Sequence, residues 1–462
     1  MEYVQRRKTT VELVTSKSVI IGGMIFLSVL FGVLNFIIPT HILAAVIIIV
    51  VSGLLLFMYP FVGLLVYQFI TIIQPGVLFP SLAPLHVERL MAIFLIVSLV
   101  INIKLRRGHL VVTQHRLLIL IGLFIVAMVA SVPTSYWKGQ SVDMIIEFLK
   151  MLAYILLIIN IVKTPTRLRI FVWQYILLIG YIAVSSAIAY KTGNYVEAQG
   201  IVRAQGLAGT DPNTLAITLV LSLPLHFMTY RLEKSKILKA LSAFIVLATI
   251  YTMVLTGSRG GFVGLGVVTL MSWWILPKRG VRLFALLAVG FIVIAVMPAQ
   301  YQERYASIFS SERDDSSKER LGLWTKGMRM FFDHPFTGVG TDAFGTANAE
   351  GYSEGRKSYL LAHNLYVQLL AELGIVGLIT FGSYVVGLFY YMRKYRKFII
   401  DKYRKRTWIW GVLMAMTLST ITLLVVGMFG HNLYRINWYF YGALTMAIGL
   451  ILRNYEFKEA EL

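Results

Sequence analysis

Cysteine is absent from the 462 residues, which removes a disulfide framework, a thiolate metal site and a thiol nucleophile from consideration. Charge is scarce: Asp, Glu, Lys and Arg make up 14% of the chain against 58% hydrophobic residues, too little polar surface to cover a soluble core of this size. Acidic residues are the scarcer sign, 22 against 43 basic. No DxD-like acidic pair stands beside the motifs discussed below, so no metal site and no cofactor are expected. Asp314-Asp315 falls in a charge-mixed run that reads as solvated surface. No Pro-rich linker, internal repeat or low-complexity tract marks a second domain. No small-residue cleavage site follows the first apolar run, which is therefore expected to stay as a helix rather than leave as a signal peptide.

What is present is apolar sequence long enough to cross a bilayer. Mean hydropathy is +0.74, and apolar runs recur that each cover the roughly 30 Å of hydrocarbon in a membrane. Spans are predicted near 18–38, 42–58, 61–78, 87–103, 117–133, 142–162, 168–190, 213–230, 240–256, 260–276, 281–297, 364–392, 408–428 and 434–452. The expected fold is all-α, a polytopic transmembrane bundle of about 12–14 spans. It divides into spans over 1–297, a larger loop with short helices over 298–362, and the last spans with a tail over 363–462.

Lys and Arg alternate between the two sides of such a bundle. With the N-terminus inside, the inner connections hold Lys104, Arg106, Arg107 and Arg116, then Lys163, Arg167 and Arg169, and later the dense run Arg393 to Arg406. Positive charge is retained in the cytoplasm, so both termini are expected there. The net charge of +21 is then mostly topology. The run 393–406 reads as a retention signal touching anionic headgroups rather than a nucleic-acid site.

Basic residues on the outer side go against that preference, and they gather in four segments. RAQGLAGTDPN holds Arg203 and Leu207, with Asp211 or Asn213 placed to cap the next helix. TGSRGG sets Arg259 between Ser258 and Gly260, where glycines let backbone N–H groups approach an anion; a tight turn with a snorkelling Arg is the other reading. In the large loop, LGLWTKGMRMFFDHPF has the apolar spacing of a short amphipathic helix. Arg320 and Trp324 would share one face of it, with Lys326 and Arg329 on a solvated face. HNLYVQLLAELGIVG begins at His363 on a span of about thirty residues, ~45 Å long, so that His363 stands above the hydrocarbon. Taken as a continuous helix, it brings Gly374 and Gly377 round to the His363 face and puts Glu372 opposite. A His at a helix end is either interfacial or catalytic. Three arginines with one His and few carboxylates to pair with them, however, call for an external anion. A phosphate or diphosphate suits guanidinium forks, which hold its oxygens bidentately.

These residues resemble the O-antigen ligase and O-antigen polymerase superfamily of integral-membrane glycan transferases. The likeness rests on His363-Asn364 followed by Gly374 and Gly377, on Arg203 with Leu207, and on the DPN stretch from Asp211. It rests further on Ser258-Arg259-Gly260, on Arg320 with Trp324, and on HPFTGVGTDAF. It covers roughly residues 200 to 380. The resemblance implies transfer of a glycan from an undecaprenyl-diphosphate carrier to an acceptor glycan, either a lipid-linked glycan or lipid A core. The transfer is expected on the periplasmic face, inverting and metal-independent. His363 would accept the acceptor's proton, as an imidazole can near neutral pH, and Arg203, Arg259 and Arg320 would hold the diphosphate. Asn364, Gly374, Gly377, Trp324 and Ser258 would support them. The span count leans toward polymerisation of an O-antigen or exopolysaccharide. The competing reading is a flippase or transporter for a lipid-linked glycan, which would draw on the intramembrane pair Glu147 and Lys150. The second His-Asn, His431-Asn432 beside Arg435, reads as structural, and His86 and Arg89 have too plain a context to assign.

Overall fold

The computed structural model describes residues 53–105, 115–198, 200–275, 299–306, 315–353, 357–404 and 406–454. The chain divides into a leading unit, Met1–Pro60, and a main unit, Phe61–Leu462. In the leading unit, residues 53–58 are helical. The predicted spans 18–38 and 281–297, and most of 42–58, lie outside the described residues.

Every other predicted span coincides with a helix. These are α1 (Pro60–Ile73), α2 (Val87–Leu105), α3 (Arg116–Ala130), α4 (Lys138–Ile161), α5 (Pro165–Lys191), α6 (Pro212–Leu232), α7 (Lys236–Leu255) and α8 (Arg259–Ile275). After α9 (Ala299–Ala306), α10 (Asp315–Asp333) and α11 (Phe344–Glu350) come α12 (Leu365–Tyr403), α13 (Trp408–Val426) and α14 (Ile436–Asn454). Among the described residues, seven helices are long and apolar enough to cross a membrane. The protein is an all-α polytopic bundle.

Local chemistry sets where the helices begin. Thr164 and Asp211 each accept an amide hydrogen bond from the first turn ahead of a Pro at the first helical position, from Arg167 at 3.2 Å and Thr214 at 2.9 Å. Ser235 and Thr407 cap α7 and α13 in the same way. A side-chain acceptor there satisfies an orphan N–H, and Pro has none to lose.

Burial then sorts the bundle. In α6 and α13, 72% of the apolar window is buried inside the protein, against 33% in α7, so α6 and α13 are interior helices and α7 is peripheral. Ile237, Phe244 and Leu247 of α7 and Leu270 of α8 are exposed, the disposition expected of side chains that meet lipid. Where α8 crosses α6 and α13 it does so on Gly261 and Gly264: a Cβ would come within 2.7 Å of Ala216 and 2.8 Å of Val426. Small residues permit this close approach, which supplies dispersion contact where the hydrophobic effect is weak.

The segment between α5 and α6 contains a hairpin. Its strands β1 (Val196–Ala198) and β2 (Ile201–Arg203) are antiparallel, with Val196 opposite Arg203. The hairpin is held on the bundle by Ala204, whose N–H donates to the Leu255 carbonyl at 2.8 Å, and by the Tyr301 hydroxyl, which donates to the Val202 carbonyl at 2.6 Å. Three-residue strands are too short for alternation to announce them. The large loop folds as expected around an amphipathic helix, α10. It has its own apolar core of Leu323, Met330, Val339, Phe344, Ala347 and Ala362, closed by Ala371 of α12.

Candidate functional site

β2 delivers Arg203 to the junction of α6, α7 and α8. The residue is 3% exposed. Its Nε donates to the Thr256 carbonyl at 2.7 Å and Nη2 to Asn213 Oδ1 at 2.9 Å. Two fixed bonds aim the guanidinium, leaving part of its five-donor fork for other partners. Burial lowers its pKa, opposed by the carboxylate of Asp211, and the neighbouring cation Arg259 lowers it further; the two arginines are close enough to repel. Arg259 is the first residue of α8. Ser258, 1% exposed, caps that helix by accepting from the Gly261 N–H at 3.3 Å. A basic side chain at a helix N-terminus, where the dipole already favours anions, concentrates positive potential in one place.

His363 stands one residue before the cap of α12. Its backbone is left-handed, φ 49°, a conformation that non-glycine residues adopt only when their surroundings impose it. Both sides impose it here. Asn364 accepts from the amides of Tyr366 and Val367 at 2.9 and 3.2 Å, and the Trp324 indole donates to the Ala362 carbonyl at 2.9 Å. Trp324 thus acts through the backbone, by locking the residue before His363. The His363 ring lies 5.2 Å from that of His431, centroid to centroid. Burial pulls its pKa down to about 4, helped by His431 and Arg320 and opposed by Asp211 and Glu319. Near neutral pH it is an uncharged imidazole.

The sequence-selected residues Arg203, Arg259, Arg320 and His363 therefore converge at one end of the bundle. Gly374 and Gly377 do not join them. The continuous helix expected from His363 onward is broken: Gly374 has φ 60°, ψ −155° inside α12, a region open essentially to glycine alone. The backbone groups freed by the break are taken by the HPFTGVG turn. Ile375 and Val376 donate to the carbonyls of Pro335 and Phe336 at 2.9 and 3.2 Å, while Val339 and Gly340 donate to those of Ala371 and Glu372 at 2.8 and 3.1 Å. Gly374 is a docking point for the loop, and the two motifs are halves of one joint. Glu372, expected on the helix face opposite His363, is fully buried beside that joint. It accepts from the Tyr434 hydroxyl at 2.7 Å and from the Asp342 N–H at 3.2 Å.

Three other readings are settled by contacts. Lys326, expected on a solvated face, donates to Asn348 at 3.2 Å, while Arg329 is exposed. Glu147 and Lys150 form an ion pair with each other. Arg89 neighbours Glu88, which also senses Lys150 and Glu147.

His431 and Arg435, set aside in the sequence, belong to the cluster. Arg435 donates to Thr218 Oγ1 at 3.3 Å and to the Thr214 carbonyl at 3.5 Å, bracing the turn before α14 on the first turns of α6. The signal was the repeated His-Asn dipeptide, whose value depends on α13 and α14 returning the chain to α12.

Residues 243–382 match the family described as O-antigen ligase, a stretch that holds Arg259, Arg320, Trp324, His363, Gly374 and Gly377. Over 275 residues the chain is 24% identical to an uncharacterized protein of Haemophilus influenzae, a match that takes in 50% of this chain and 66% of the relative. The chain thus spans just under two thirds of that relative's length. The family match lies across the Arg and His end of an all-α polytopic bundle, and residues 243–382 thereby support the likeness to the O-antigen ligase and O-antigen polymerase superfamily.

Proposed function

We propose that this membrane glycan transferase moves a glycan from an undecaprenyl-diphosphate carrier to an acceptor glycan, with inversion and without a metal ion. The observation that carries the reading is the meeting of Arg203, Arg259, Arg320 and a neutral His363 at one end of the bundle. The acceptor hydroxyl attacks the anomeric carbon as the bond from that carbon to the diphosphate oxygen breaks. The electron pair leaves with undecaprenyl diphosphate, whose growing charge the guanidinium groups stabilise, and the acceptor's proton passes to His363. One displacement inverts the anomeric centre and needs no protein nucleophile. The alternation of Lys and Arg supports an inner membrane with both termini cytoplasmic and this site facing outward. Glu147 and Lys150, on which a transport path would draw, are occupied with each other.

The test is product analysis of the purified protein in lipid with an undecaprenyl-diphosphate oligosaccharide, wild type against His363→Ala. A ladder of longer lipid-linked glycans is expected for a polymerase, and transfer only on adding lipid A core for a ligase. Loss of the base should slow either by about 10²–10⁴-fold. Transfer by the variant at the wild-type rate would dismiss His363. Activity is expected to persist in EDTA, and a reaction that stopped there and resumed with a divalent cation would overturn the arginines' role in place of metal.

A further inference from the structure

A cleft of about 350 Å³ lies beside the hairpin, lined by Ser185, Ser186, Asn194, Gln205, Gly206 and Gly209, with an aliphatic rim that includes Leu78 and Leu207. Its volume is within the ~300–1,000 Å³ typical of small-molecule sites. None of its lining residues is ionisable, so it is no second diphosphate site. Its polar groups are amides and hydroxyls. The Asn194 and Gln205 side chains are already joined, Gln205 Nε2 donating to Asn194 Oδ1 at 2.7 Å, a pair that retains spare donors and acceptors. Ser186 is 1% exposed and its hydroxyl has no hydrogen-bond partner among the described residues. A buried hydroxyl left unpaired is unfavourable, and its residue is one of those lining the cleft. Gly209 leaves open space where a side chain would stand. The cleft also has an address: Gln205 to Gly209 lie in the loop whose two ends carry Arg203 and Asp211.

We propose that this cleft is a subsite for an uncharged sugar ring of the transferred glycan, held by hydroxyl bonds to Ser186, Asn194 and Gln205 and by C–H contact with the aliphatic rim. The assignment rests on the glycan-transferase reading. A polyprenyl chain fits less well, since it would leave the Ser186 hydroxyl and the spare donors and acceptors of Asn194 and Gln205 unpaired. Sugar rings match such a site because they present hydroxyls at the edge and C–H groups on the face.

Binding to the full chain in lipid separates the possibilities. Two probes are compared: undecaprenyl diphosphate, and the lipid-linked oligosaccharide that accumulates in cells deleted for this protein. Wild type should prefer the second by at least ~10-fold, the worth of one or two hydrogen bonds. Ser186→Leu, which fills the cleft, should reduce the preference to about twofold while affinity for the bare lipid is unchanged. Ser186→Ala and Gln205→Ala, which only remove polar groups, should each reduce it about threefold to fivefold and carry the test if the larger side chain prevents folding. Equal weakening of both lipids would assign the cleft to the prenyl chain and overturn the proposal, as would an undiminished preference in folded variants. Wild type binding neither lipid would instead remove the glycan-transferase reading on which the subsite stands.

Discussion

The role proposed for His363 calls for a base whose proton affinity changes during turnover. In the free protein burial, His431 and Arg320 hold the ring's pKa near 4, so it is neutral but a weak proton acceptor. In the proposed reaction the donor's diphosphate would add negative charge beside it and neutralise the arginines, both of which favour the imidazolium and would raise the pKa toward the working pH. The sign follows directly. A base is competent when deprotonated, so activity falls as pH drops through the relevant pKa; kcat/KM reads the free protein and kcat the donor complex. The acid limb of kcat should therefore lie at higher pH than that of kcat/KM. His431 lowers the His363 pKa, so His431→Ala should move the kcat/KM limb upward, while His363→Ala should remove that limb with the activity. Pre-steady-state profiles from pH 4 to 8 decide this, and coincident limbs in the wild type would deny the coupling to the donor.

On the scale of the element, the break in α12 ties the large loop to the bundle. Gly374 adopts a conformation closed to other residues, and a Cβ there would fall 2.5 Å from the Phe336 carbonyl. Gly374→Ala should cost about 1–3 kcal/mol from backbone strain alone, lower the thermal-unfolding midpoint by several degrees and abolish transfer, because Trp324 and Arg320 ride on the docked loop. Gly382→Ala, in the same helix with open space around it, should be neutral or slightly stabilising, and equal losses from the two substitutions would mean the joint has no special role. The sequence shows this region unevenly. The spans are legible because a bilayer demands long apolar runs, and α10 because its apolar spacing is helical. The break at Gly374 is not, since periodicity presumes an unbroken helix and the compensating hydrogen bonds come from Pro335 to Gly340. Arg203 and Arg259 stood out as cations on the wrong side. His431 and Arg435 did not, because only the return of α14 to α6 brings them beside His363.

For the molecule as a whole, the distribution of charge and the placement of the site make one claim: the Arg and His end faces outward, and the end carrying the 393–406 basic run faces the cytoplasm. At the first end, the loop between α11 and α12 exposes Lys357; at the other, near the C-terminus of α12, Lys402 is exposed. The lack of native cysteine makes the test clean, because a single introduced thiol is the only one in the chain. Lys357→Cys should react with a membrane-impermeant maleimide in cells whose inner membrane is intact and reagent-accessible from outside. Lys402→Cys should react only after that membrane is opened. The reverse pattern would place the site in the cytoplasm, where lipid-linked donors are assembled rather than consumed, and would contradict transfer on the outer face while leaving the His363 chemistry intact. Labelling of both sites in intact cells would show that the basic run does not fix one orientation, and the positive-inside argument would then no longer support the assignment of the termini.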